Sequence, residues 1–305
     1  MIDLLIGKID KLNNPTVVGL DPQYEMIPRY IREKQLERHG KTLKAVGEMF
    51  YEFNRSLIDA LCDIVPAVKP QIAMYERYGL DGIEAYLKTI AYAREKGMFV
   101  IGDIKRGDIA STAAAYAGHI GGVDVEGVHF DPWKEDAVTI NPYLGYDGIK
   151  PFREICEKQG KMLFILVKTS NPSSSELQDV MTDDGRILYE RTGDLVADWG
   201  EGLVGKYGYS RIGAVVGATN KAQGEALRHR LPHTFFLVPG YGAQGASGRD
   251  IGGFFDTDGR GCIVNSSRGI IAAYKKSDRF GEADFASAAR EAALSMKKDI
   301  TENIF

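Results

Sequence analysis

Cysteine is scarce in this chain: three among 305 residues, Cys62, Cys156 and Cys262, far apart and odd in number. No CxxC pair and no His-rich spacing accompanies them, so neither a disulfide framework nor a zinc site is indicated. They read as three reduced thiols of a cytoplasmic protein. No run of about 18 apolar residues occurs, so no membrane span is expected. The opening MIDLLIGKIDKLNNP has early acids and only a short apolar patch, and reads as a small amphipathic helix, not a signal peptide. A basic surplus is also missing: 38 Lys and Arg stand against 42 Asp and Glu, a net charge of −4 with no basic stripe. That argues against nucleic acid as the main partner. There is no repeat of fixed period and no low-complexity tract. Nor is there a GxxxxGK[ST] motif, or GxGxxG at a first strand, so no ATP or NAD site is indicated.

What is present is globular in balance, with 44% apolar and 26% charged residues. Eight short apolar runs alternate with helical stretches: TVVGLD (16–21), AVKPQ (67–71), FVIGDIK (99–105), AVTIN (137–141), MLFILVKT (162–169), IGAVVGAT (212–219), TFFLVPG (234–240) and CIVNSSR (262–268). Apolar strands alternating with helices imply a parallel sheet buried on both faces. Eight units predict an α/β fold of the (β/α)8 barrel type, a TIM barrel, with an open doubly wound sheet as the alternative. The chain reads as a single barrel domain over 1–305, with a long helical insertion at about 22–66. A second excursion spans 171–210, and its opening NPSSSELQD reads as a mobile loop.

Nearly every run ends in a polar or charged residue: Asp21, Lys69, Asp103 and Lys105, Asn141, Lys168 and Thr169, Thr219 and Asn220, Arg268. The C-terminal ends of barrel strands are where such folds place active sites. Asp103 and Lys105 are two apart and project to one side of their strand. With Lys69 on the preceding run and Asp21 on the first, four charges of alternating sign meet at one mouth. The near-neutral sum lets them be buried, and a fixed array of charges suits electrostatic catalysis. DIKRGD alone would more often be a solvated salt-bridge cluster; the matching strand ends make that the weaker reading. VPGYGAQGASG (238–248) and NSSRG (265–269) follow the last two runs. Glycine lets backbone N–H groups approach an anion, and Arg268 can pair with phosphate through two hydrogen bonds. The loops after the last two strands are the recurrent phosphate site of barrels. A phosphorylated substrate with its reacting carbon over Lys105 follows.

DIKRGDIAST (103–112) carries a DxKxxD pattern. It is accompanied, in order, by LDP (20–22), VKPQ (68–71), KTSNP (168–172), PGYGAQGA (239–246) and SSRG (266–269). This set resembles the orotidine 5′-monophosphate decarboxylase family, and specifically its longer bacterial branch, over residues 17 to about 270. The resemblance implies cofactor-independent decarboxylation of orotidine 5′-monophosphate to uridine 5′-monophosphate in pyrimidine synthesis, with no metal, in a homodimer with shared active sites. It implies that Lys105 donates the proton, that Asp103 is set against the substrate carboxylate, and that Lys69 orients Asp103 and touches the ribose. Asp21 is implied as a ribose-binding acid and Ser170 as the contact to the pyrimidine edge. Gln244 would bridge pyrimidine and phosphate, and Arg268 would anchor the phosphate. Asp108 and Thr112 would reach the partner's site from one face of the helix after the third strand, Asp108 on its first turn and Thr112 one turn on. Closure of the 171 and 241 loops over the substrate is implied as well. Asn141 is read either as a site residue or as a strand-end cap. Ala110 stands where the family more usually has Gly, Pro or Ser. Two rivals remain: a Mg²⁺-dependent sugar-phosphate decarboxylase or aldolase, disfavoured by a cation at position 69, and a non-catalytic phosphoribosyl-ligand sensor, disfavoured by Lys105 between acids.

Overall fold

The eight apolar runs all form barrel strands. The computed structural model describes residues 1–242 and 245–304. The barrel strands are β1 (Thr16–Leu20), β2 (Ala67–Pro70), β3 (Phe99–Arg106), β6 (Ala137–Ile140), β7 (Met162–Lys168), β8 (Ile212–Val216), β9 (Phe236–Pro239) and β10 (Cys262–Ser266); a two-stranded hairpin supplies β4 (Val123–Val125) and β5 (Val128–Phe130). The sheet closes in the order β1-β10-β9-β8-β7-β6-β3-β2, all neighbours parallel. The open-sheet alternative is thereby excluded.

One apolar cluster fills the barrel. Val17, Phe99, Ile101, Phe164, Val215, Leu237 and Ile263 point inward and are buried. The helix Ile2–Leu12 adds Ile2, Leu5, Ile6 and Ile9 to the same cluster, as its amphipathic pattern predicts. It leads directly into β1, so it closes the end where the strands begin. The N-terminal ammonium donates to the Gly160 carbonyl, just before β7, at 2.7 Å. Only the C-terminal end of the barrel is left open.

The expected insertion at 22–66 divides in two. Leu43–Leu61 is a regular member of the outer helix ring: Phe53 stacks on Phe285 of the last helix with centroids 4.9 Å apart, and Phe50 meets Tyr75 and Tyr78 edge-on. The added part is the shorter segment holding Tyr24–Met26 and the helix Arg29–His39. The hairpin β4–β5 was not foreseen. Its two linking residues, Glu126 and Gly127, have φ of 48° and 81°. Positive φ at both positions is the turn geometry that matches strand twist, but Glu-Gly is a weaker signal for it than Asn-Gly. Among the described residues no helix is long and apolar enough to cross a membrane.

Leu5 is fully buried at the closed end. Leu5→Ala should destabilise the protein by about 2–5 kcal/mol, read as a lower urea midpoint. A midpoint equal to wild type would show that the N-terminal helix does not support the barrel.

Candidate functional site

At the open end lies a cavity of about 610 Å³, lined by residues from nearly every strand end, among them Asp21, Lys69, Asp103, Lys105, Thr139, Ser170 and Arg268. Its floor is a charge array. Lys69, 4% exposed on β2, donates from Nζ to Asp103 Oδ2 at 2.6 Å. Lys105, half-exposed, pairs from the other side with Asp103 Oδ1. The Thr139 hydroxyl, on β6, donates to the same Oδ1 at 2.8 Å. One buried carboxylate is therefore held between two ammonium groups contributed by neighbouring strands.

Burial alone would raise the Asp103 carboxyl; the charges of Lys69 and Lys105 outweigh it and hold the group well below the usual carboxylate range. Burial would likewise lower Lys69, and the negative charges of Asp103 and Asp21 reverse this, so its ammonium titrates above the usual lysine value. The signs fix a window. Asp103's share of folding stability is complete above its unfolded value near about pH 4 and lost as pH falls through the lower folded value. Lys69's is complete below about pH 10 and lost as pH rises through the higher one. Both charges are present across the neutral range.

The opposite wall belongs to the last strands. Pro239, Gly240, Tyr241, Asn265, Ser267 and Arg268 line it. Arg268 is exposed at the rim, opening a short helical turn. Asp21 Oδ1 and Asn265 Oδ1 are buried and have no hydrogen-bond partner among the described residues. Such acceptors, aimed into a cavity, are ready to take a ligand's hydroxyl or amide hydrogen. Gln244 lies outside the described residues.

Ser170 enters the cavity on a segment stapled at its neck. Gln178 Oε1 accepts from Thr169 N at 2.9 Å, and its Nε2 donates to Thr169 Oγ1 at 2.7 Å. Lys168, buried, turns away from the cavity and pairs with Asp179 at 2.7 Å. Gly217 makes the approach possible, because a Cβ there would stand 2.8 Å from Ser170 N. The stretch read as a mobile loop thus folds here as a short 3-10 turn, Pro172–Ser174, and one helical turn, Ser175–Gln178.

Asp108 and Thr112 are not among the residues lining this cavity. Asp108 Oδ1 accepts the N–H of Ile109 at 2.8 Å, and Thr112 is exposed. The helix starts at Ala110, so Asp108 precedes the first turn on which it was expected. The delay has a backbone cause: Ala110 has a φ of 49°, a left-handed conformation that glycine would take without strain. Asn141 accepts from Tyr143 N at 3.0 Å and lies outside the cavity, so its side chain serves a turn at the strand end.

Sequence reading missed Thr139, Asn171, Gln178 and Asn265, all of which line the cavity. A signal existed for two of them. Thr139 and Asn265 are polar residues at inward positions of mostly apolar strands, two residues beyond the buried Ala137 and Ile263. Asn171 lies within the KTSNP motif but was given no role, and Gln178 had no signal, since it reaches the cavity through a fold-back that periodicity does not encode.

Comparison with known proteins agrees with this geometry. Residues 16–280 match the family model for orotidine 5′-phosphate decarboxylase and HUMPS proteins. The orotidine 5′-phosphate decarboxylase of Caldicellulosiruptor saccharolyticus is 43% identical over 303 residues, covering 99% of this chain and 98% of that protein. That of Clostridium acetobutylicum is 40% identical over 305 residues, covering 100% of both. The solved structure of Leishmania donovani OMP decarboxylase superposes with a TM-score of 0.74 at 29% identity, covering 99% of this chain and 98% of that one. Strand order, cavity chemistry and likeness along the whole chain lead to one statement: this chain belongs to the orotidine 5′-phosphate decarboxylase family.

Proposed function

We propose that the chain decarboxylates orotidine 5′-monophosphate to uridine 5′-monophosphate, without metal or organic cofactor, as a cytoplasmic homodimer. The observation that carries this reading is the Lys69–Asp103–Lys105 array on the floor of a cavity whose far rim bears Arg268. Loss of CO₂ from C6 of the pyrimidine leaves an electron pair on carbon, with no carbonyl placed to absorb it as an enolate. The ammonium of Lys105 stabilises that charge through space and then donates a proton to C6, leaving a neutral amine that solvent reprotonates. Asp103, ionised throughout the neutral range, holds Lys105 in place and stands against the substrate carboxylate. Lys69 fixes Asp103 from the other side and faces the ribose.

Phosphate held by Arg268 lies far from C6, and its binding energy is used to order the site around the pyrimidine. Ser170 meets the pyrimidine edge, Asp21 takes a ribose hydroxyl, and Gln244 spans pyrimidine and phosphate. Asp108 and Thr112 complete the partner's cavity across a two-fold axis. Their outward position supports this, since neither lines its own cavity. A Mg²⁺-dependent relative would need a carboxylate on β2, where this chain has the Lys69 ammonium.

Incubation with orotidine 5′-monophosphate should release CO₂ and deplete the orotate-like absorbance, undiminished by a chelator; absence of CO₂ release would overturn the function. Lys105→Ala should abolish turnover while the protein stays folded, and near-normal activity in it would remove Lys105 from the role of proton donor. Arg268→Ala should depress kcat/KM by at least about 100-fold, the scale of a lost charge-assisted anion contact, with partial rescue by phosphite on a truncated nucleoside. Full kcat/KM would place the phosphate elsewhere. Mixing inactive Lys105→Ala with inactive Asp108→Ala tests the shared site. Each mixed dimer then holds one doubly defective and one intact site, so activity should return to about half per mixed dimer. No recovery, with subunit exchange demonstrated, would show that each site is built from one chain.

A further inference from the structure

Strand β3 does not run regularly to its end. Ile101 and Gly102 stand opposite Ala137 and Val138 of β6, but the next matched pair is Arg106 with Ile140. Three residues, Asp103, Ile104 and Lys105, therefore face the single residue Thr139. Such a bulge leaves backbone groups out of the ladder and re-aims the side chains around it. Lys105, at its end, has a φ of 45°. A long L side chain rarely adopts that left-handed conformation, and surrounding structure must hold it there.

Thr139 supplies the holding contact. Lys105 N donates to Thr139 Oγ1 at 3.1 Å, and Thr139 Oγ1 in turn donates to Asp103 Oδ1 at 2.8 Å. Thr139 is 1% exposed within an apolar strand. A hydroxyl buried there would be costly without partners, and both its capacities are used, one on each charged residue of the pair. The backbone of Lys105 and the carboxylate of Asp103 are thus tied to one oxygen, which closes the gap left by the bulge.

We propose that Thr139 is a positioning residue for the decarboxylation. Its hydroxyl holds the Lys105 backbone in the left-handed conformation that carries the ammonium over the cavity, and fixes the rotamer of Asp103 beside it. Thr139 itself does not touch the reacting atoms. This rests on the function proposed above. It separates the hydroxyl from the methyl group of the same side chain: the hydroxyl orients the charged pair, and the methyl only fills space.

Three variants separate those roles, assayed with orotidine 5′-monophosphate and compared with wild type. Thr139→Val keeps the shape and loses the hydroxyl. Its kcat should fall about 100-fold, the scale of a misplacement near 1 Å. KM should stay within about threefold, because the binding contacts remain. Thr139→Ser keeps the hydroxyl and should recover kcat to within about threefold of wild type on the same reasoning. A crystal structure of Thr139→Val should show Lys105 relaxed out of positive φ. Wild-type kcat in Thr139→Val, or equal losses in Val and Ser, would overturn the proposal while leaving the function intact. If Thr139→Val does not fold, Thr139→Ala takes its place against Ser. Loss of fold in both Val and Ala would assign the hydroxyl to folding and overturn the catalytic role. A wild type that releases no CO₂ would instead overturn the function, and this proposal with it.

Discussion

A carboxylate at the end of a buried strand needs cations on both sides, and Asp103 has Lys69 and Lys105. Removing an unpaired carboxylate from water costs several kcal/mol even after relaxation. The two ammonium groups offset that cost only when they are held at hydrogen-bond distance, which one strand cannot arrange. Lys69 comes from β2 and Lys105 from β3 itself, and the oxygen that links Lys105 to Asp103 comes from β6. A closed barrel makes those three strands neighbours in the order β2, β3, β6. The rest of the architecture can be read as the means of keeping this array fixed in a place that a substrate can reach.

The two ends of the barrel divide that work. The closed end is apolar and sealed by Ile2, Leu5, Ile6 and Ile9, so stability comes from burial that no ligand disturbs. The open end carries the charge array and the cavity-lining acceptors Asp21 Oδ1 and Asn265 Oδ1, which have no hydrogen-bond partner among the described residues. Stability and recognition are thereby separated along one axis. The segment bearing Ser170 follows the same logic locally: Lys168 with Asp179, and Gln178 with Thr169, close its neck, so the turn between them is presented to the cavity from a fixed base.

Outside the barrel a second buried polar group braces the same strand. Glu135, fully buried, accepts from Tyr86 and sits 2.9 Å from His119 Nδ1. Burial raises its carboxyl, partly countered by His119. Its carboxylate packs against Gly102, where a Cβ would stand 2.3 Å from it. The residue preceding Asp103 therefore has to be glycine for β3 to lie against this group, which ties a sequence choice beside the charged array to packing behind it.

Sequence pattern alone was enough for the eight barrel strands, the amphipathic N-terminal helix and the polar face of the barrel. These follow from periodicity and from which residues end each apolar run, and both are local properties. It also marked Asp21, Lys69, Asp103, Lys105, Ser170 and Arg268, which the fold gathers on one cavity. Which way the strand ends face came from the packed barrel. Asn141 and Lys168 end their strands as Lys69 does, yet one serves a turn and the other anchors a loop neck. The bulge in β3, the left-handed Lys105 and Ala110, and the bond from Thr139 also lay beyond sequence reading. The physical reason is shared: each is set by register between strands distant in sequence, and register depends on the closure of the whole barrel, not on the pattern within any one run.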